Sequence, residues 1–318
     1  MHPFKSTLLL SSALILLALP AAAQETREVE TSQGAITIPT APERVIVLNS
    51  SLAGSLYALG VDILAVSSSS RSPTEEGFSS VWAEEARAAG TEVLPDVGDA
   101  GFNYELLLSY APDLIIGGGQ GLSGGLSVEG YDQLSAIAPT LIVDSALDTW
   151  QGQIAFLAEA LGRTEEADAA IAAYDARVAE VREAIALPPQ PTTVLLPIEN
   201  GLHFLPEASN TPQLFAALGF ELDPLTERFP DFEAFGTGDS VEVSIELAGE
   251  VLTAPTMILI PWTATAMSLD DLEAHPVLSR LPAVASGSVY TFPDYAYRFD
   301  YYGALAVLDL AEETFGAQ

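Results

Sequence analysis

The chain has 318 residues, no cysteine, and 44 Asp+Glu against 11 Lys+Arg, for a formal net charge of −33. That acidity argues against nucleic acid as a partner, and the lack of cysteine excludes disulfides, thiol chemistry and a lipid-anchored N-terminal Cys. Behind Lys5, an apolar run from Leu8 to Leu19 closed by Ala21-Ala22-Ala23 predicts a secretory signal peptide over residues 1–23. The run is too short for a comfortable membrane span and no later stretch rivals it, so the expected location is the periplasm. Removing Lys5 leaves a net charge of −34 in which every fixed cation is an arginine. A saline habitat would explain such a composition. It also makes any arginine in a polar loop between strand and helix a candidate for a task.

From Glu28 to Ile38 the sequence alternates around Gln33-Gly34 as a hairpin would. A buried strand, Arg44 to Leu48, then runs into Asn49-Ser50-Ser51, a helix carrying Leu52, Leu56 and Leu59, and a second strand from Ile63 to Val66. After the polar loop Ser67 to Thr74, which holds Arg71, the alternation repeats. Asn103 caps a helix with Glu105 in its first turn, and strands follow at Asp113–Ile116 and Thr140–Val143, with helices at Tyr131–Ala138 and Thr149–Leu161. Short apolar strands alternating with helices predict an α/β lobe with a mainly parallel sheet over residues 24–163.

Thr164 to Ala186 reads as one uninterrupted helix. Ala167, Ile171, Tyr174, Val178, Val181 and Ile185 draw a single stripe, Thr164 is placed to cap the start, and Pro188, Pro189 and Pro191 forbid continuation. At about 1.5 Å per residue it is a rod of roughly 30 Å. We assign residues 164–187 as a bridge and residues 188–318 as a second α/β lobe, again with a mainly parallel sheet, because the order of strands and helices returns beyond the prolines. Pro212 to Gly219 echoes Gly54 to Gly60. Ser244-Ile-Glu246-Leu echoes Asn103-Tyr-Glu105-Leu, which places Glu246, like Glu105, in the first turn of a helix.

Three patterns carry candidate chemistry. Gly119-Gln120-Gly121-Leu-Ser-Gly124 follows a strand, with Asp144 twenty positions beyond Gly124, as a dinucleotide fingerprint requires; the other reading is a loop facing a cleft. Ser240 with Asp271 and His275 could form a hydrolase, or Ser240 could be a turn serine. The richest run lies between a strand and the last helix, where Tyr295, Tyr297 and Arg298 can stack on a planar anion and hydrogen-bond its oxygens. Trp262 ends a neighbouring strand, Arg71 matches it in the first lobe, and Ser50, Gln120 and Phe204 complete the candidate ligand-binding set. His203 and His275 have no partners at metal-ligand spacing, so no metal cage is expected.

Gly34-Ala-Ile-Thr-Ile-Pro39 with Pro42-Glu-Arg-Val45, Asp96-Val-Gly98 with Ala111-Pro-Asp-Leu-Ile115, Leu134 to Pro139 and the tyrosine-rich ending together resemble the periplasmic iron-siderophore binding proteins of ABC importers. The resemblance implies two α/β lobes joined by one long helix and a ferric siderophore held between them, with iron carried inside the ligand rather than as a cofactor. It implies no catalytic step. Haem-binding and cobalamin-binding members share the frame. Some catecholate-binding members place a histidine before the second docking glutamate, where this chain reads Gly236-Thr-Gly-Asp-Ser240, so no side chain is expected to ligate iron directly. The resemblance also implies that Glu105 and Glu246 enter arginine pockets on the two subunits of an inner-membrane permease dimer. A monomer is expected. The rival classes are a secreted NAD-type oxidoreductase and a secreted hydrolase.

Overall fold

A computed structural model describes residues 25–316 apart from 71, 96, 98–100, 200, 236–239 and 264. The signal-peptide segment, Arg71, Asp96, Gly98 and the loop 236–239 therefore lie outside the described residues.

The predicted hairpin is formed by β1 (Thr26–Thr31) and β2 (Gly34–Pro39), antiparallel and turned at Gly34 with φ 99°. The first lobe holds β3 (Val45–Val47), β4 (Ile63–Ser67), β5 (Glu92–Leu94), β6 (Leu114–Gly118) and β7 (Thr140–Val143). They lie in the order β5-β4-β3-β6-β7 and every pairing is parallel. Two segments that carry the resemblance meet beneath this sheet: the Asp113 carboxylate accepts the backbone N–H of Glu43 (2.8 Å) and Arg44 (2.9 Å), and Arg44 Nε donates to the carbonyl of Ala111 (2.9 Å).

In the second lobe β8 (Thr192–Ile198), β9 (Gly201–Phe204), β10 (Ala234–Phe235), β11 (Ser240–Val243), β12 (Thr256–Leu259) and β13 (Val289–Thr291) form a sheet of order β10-β11-β9-β8-β12-β13. Only its β8-β12-β13 part is parallel; the three pairings beyond β8 are antiparallel, so this sheet is mixed rather than mainly parallel as expected, because β8 and β9 are joined by a tight hairpin instead of a crossover helix. The antiparallel half begins with a hairpin, Ile198 opposite Gly201, where the sequence carries the Asn200-Gly201 turn signal.

The helix between the lobes spans Thr164–Ala184. It starts one position earlier than the capping expectation, since Thr164 is its first helical residue and Arg163 stands at the cap without a side-chain bond. The stripe is real: Ala167, Ala170, Tyr174, Val178 and Val181 are buried, and Ile171 packs at its edge. This face joins the C-terminal helix Tyr301–Phe315, and Arg177 reaches from one helix to Asp309 (2.8 Å) and Glu312 of the other. One apolar cluster runs through both lobes, from Val45 and Leu52 across Tyr174 and Val178 to Leu196, Phe215 and Phe292. The lobes thus share a core rather than hanging on a single rod.

Candidate ligand cleft between the lobes

Chain order sets the site. From β3 the chain moves to β4 on one side, and β6 returns on the other, so the loops after β3 and β6 part company and open a crevice at the carboxyl edge. Asn49 spans it. Its Nδ2 donates to the carbonyls of Gly118 (2.8 Å) and Gln120 (3.1 Å), while its Oδ1 accepts the N–H of Ser51 (3.2 Å). Buried amide bonds of this kind fix Ser50 and Gln120 at neighbouring rims, because losing them would leave polar groups unsatisfied.

The second lobe contributes the segment after β13. A 3₁₀ turn at Asp294–Ala296 leads to Tyr297 and then Arg298, whose φ of 55° is left-handed and costly for a residue with a Cβ. Tyr297 is buried and meets Trp262 edge-on, ring centres 5.9 Å apart. The Arg298 guanidinium carbon lies 4.6 Å from the centre of the Tyr297 ring, a cation–π arrangement. The guanidinium also crosses to the first lobe: a Cβ on Gly121, itself at φ 87°, would stand 2.6 Å from Arg298 Nη1. Only glycine fits there.

Two adjoining pockets result. One, of about 300 Å³, sets Ser50, Ser51, Ser69 and Ser79 of the first lobe opposite Tyr295 and Tyr297 of the second. The other, of about 220 Å³, lies between Gln120 and Asp148 on one side and Ser209 and Asn210 on the other. Tyr297 and Arg298 line both. Burial, and then the nearby Asp294 and Asp309 carboxylates, push the Tyr295 phenol above its usual value, so it stays a hydrogen-bond donor at neutral pH. The cleft therefore offers hydroxyl donors, aromatic faces and a guanidinium to an oxygen-rich ligand.

Ser50, Gln120, Tyr295, Tyr297 and Arg298 are brought together, and Trp262 backs Tyr297 from behind the pocket lining. Phe204 is not among them. It ends β9 fully buried among Leu195, Val241 and Leu259, because the chain passes through it as a strand of the sheet, and Leu205 lines the pocket instead. Glu105 is exposed in the helix Tyr104–Ser109, whose cap Asn103 accepts from Leu106 N–H (3.0 Å), as expected. Glu246 is exposed too, but it sits in the turn before the four-residue helix Ala248–Val251 rather than in a first helical turn.

The alternative chemistries fare poorly. Ser240 pairs with His203 Nδ1 (3.2 Å), not with His275, and both partners are buried, with burial also lowering the imidazole's affinity for protons. His275 Nδ1 accepts the N–H of Val277 and Leu278. In the glycine loop the helix Leu122–Glu129 begins right behind Gly121, where a dinucleotide's pyrophosphate would sit and where the Arg298 guanidinium lies instead. Sequence reading missed Trp82, Ser209 and Asn210 as cleft residues. The internal echo aligns Ser50 with Ser209 and so contained part of that signal.

This is the architecture of a two-lobed binding protein with a cleft at the switch point of its sheets. The chain belongs to the periplasmic binding protein family, whose model matches residues 45–296. It is 30% identical to the ferric enterobactin-binding periplasmic protein FepB of Escherichia coli O6:H1, over 98% of each chain. Among solved structures it resembles holo-ViuP, with a TM-score of 0.78 and 23% identity over 92% of this chain and 95% of that one. It also resembles Staphylococcus aureus SirA complexed with staphyloferrin B, with a TM-score of 0.72 and 18% identity over 92% of this chain and 100% of that one. The two structural likenesses establish the fold.

Proposed function

We propose that the chain takes a ferric siderophore into the cleft between its lobes and delivers it from the periplasm to an ABC permease dimer in the inner membrane. It acts as a monomer, performs no catalytic step and holds no resident cofactor, since iron enters and leaves inside the ligand. The supporting observation is the stack of Arg298 on Tyr297 over the first lobe's glycine loop, read beside the kinship to a ferric enterobactin-binding protein.

In a chain this acidic, long-range attraction of an anionic chelate is unfavourable, but salt screens beyond about 8 Å and leaves binding to the groups at contact. Arg298 supplies charge, Tyr297 an aromatic face, and the serine wall hydrogen bonds to chelate oxygens. Glu105 and Glu246, exposed one to each lobe, are the anchors for the two permease subunits. Among the described residues no helix is long and apolar enough to cross a membrane. The reading is tested by mixing the purified protein with ferric citrate, ferric enterobactin, a ferric trihydroxamate, haemin or cobalamin, desalting, and recording the visible spectrum. A retained iron–chelate charge-transfer band supports it. Retention of haem or cobalamin alone, or of nothing, contradicts it.

A further inference from the structure

The segment that carries Tyr295, Tyr297 and Arg298 begins with a carboxylate whose partners lie in the other lobe. Asp294 Oδ2 accepts the backbone N–H of Ser72 (2.9 Å), and Oδ1 accepts the Ser72 hydroxyl. Ser72 has a φ of 39°, a conformation that opposes its Cβ and persists only where the surroundings hold it. The same loop is closed on itself by Ser80 N–H to the Ser72 carbonyl (3.0 Å), by the bridge between Pro73 and Ser79, and by Ser69 N–H to the Gly77 carbonyl (2.8 Å). Ser69 and Ser79 are the wall that faces Tyr295 across the larger pocket. A single side chain thus ties one wall of the cleft to the other.

We infer that Asp294 is a positioning residue for ligand binding: by holding the strained Ser72 loop against the Tyr295–Arg298 segment, it sets the width of the cleft before any ligand arrives. This rests on the ferric-siderophore reading only for the identity of what is bound. Two charge-assisted bonds to one residue are stronger and more directional than neutral ones. A site whose walls are already in place loses less freedom on binding, and the benefit falls mainly on the dissociation rate.

The cysteine-free sequence permits a test that needs no ligand. Spin labels on Glu75→Cys in the loop and Glu313→Cys on the C-terminal helix, both exposed positions, report the loop-to-lobe distance by pulsed electron resonance. In the ligand-free protein the distribution is expected to be narrow. It should broaden in Asp294→Ala and narrow again in Asp294→Asn, which retains one acceptor. With ferric enterobactin as the probe, Asp294→Ala should dissociate roughly tenfold faster, Ser72→Ala about threefold faster, and Asp294→Asn within about threefold of the parent, all at unchanged thermal midpoint. Unchanged distances in Asp294→Ala would overturn the inference, as would dissociation at the parental rate or a fall in thermal midpoint that Asp294→Asn does not restore. If the parent protein binds no ferric chelate, the ligand reading fails, and the distance measurement still decides the role of Asp294.

Discussion

Asp300 accepts the backbone N–H of Gly54 across the lobe boundary at 3.0 Å, joining residues 246 positions apart in sequence. The same carboxylate caps the C-terminal helix through Gly303 N–H (3.0 Å), and a Cβ on Gly54 would fall 2.2 Å from its Oδ2. Gly54 is therefore required by close approach. Gly54→Ala should destabilise the protein by about 2–4 kcal/mol, combining overpacking with a lost hydrogen bond to a charged group. Urea unfolding measures this, and a change within 0.5 kcal/mol, about the scatter of a neutral surface substitution, would contradict the contact.

Asp300 is also buried, and desolvation pushes its carboxyl up to about 6 despite the backbone donors that pull it down. Because the folded value lies above the unfolded one near 3.8, the native state binds more protons between these values. Stability from this group is present in full below pH 4 and is lost as pH rises through 6. The loss is on the order of 3 kcal/mol at pH 7. Thermal midpoints of the parent and Asp300→Asn, measured from pH 7.5 to 4.5, should diverge in the parent's favour as pH falls. Parallel curves would mean that Asp300 carries no buried charge at neutral pH.

These two carboxylates mark the limit of what the sequence discloses. The bridging helix was legible because Tyr174, Val178 and Val181 repeat at helical spacing, and the parallel first sheet because its strands are short, apolar and separated by helices. Tyr297 and Arg298 were legible as an unusual pairing between a strand and a helix. Asp294 and Asp300 were not, since their partners lie 222 and 246 positions away and nothing local distinguishes one acid among 44. Phe204 was misplaced for a simpler reason: once the Asn200-Gly201 signal is read as a hairpin, β9 runs to Phe204 and buries it.

Motion between the lobes should be small. A shared apolar cluster, the helix Thr164–Ala184 and the bonds Gly54–Asp300 and Trp150 N–H to Asn210 Oδ1 (2.8 Å) all cross the boundary, and opening the cleft must break them together. Small-angle scattering with and without ferric chelate should give radii of gyration equal within about 1 Å. A change of several ångströms would mean that the lobes hinge.

Docking should separate from ligand binding. Glu105 and Glu246 are exposed and line neither cleft pocket, so the double variant Glu105→Ala with Glu246→Ala should keep its chelate affinity and thermal midpoint. Uptake of radiolabelled iron by cells carrying it should fall strongly, because under the proposed docking an arginine on each permease subunit would lose its charge partner. Normal uptake at normal expression would remove both residues from the interface.

Arg298, braced on Tyr297, is the group proposed to hold a ferric chelate in the cleft. Tryptophan fluorescence reads it directly, since Trp82 lines the larger pocket and Trp262 touches Tyr297. Titration of the parent with ferric enterobactin should give saturable quenching at one chelate per chain. Arg298→Ala should weaken that binding by roughly 1.5–3 kcal/mol, the range for hydrogen bonds to charged groups. Equal affinity in parent and variant, or no saturable quenching by ferric enterobactin or by any ferric chelate retained on desalting, would contradict it.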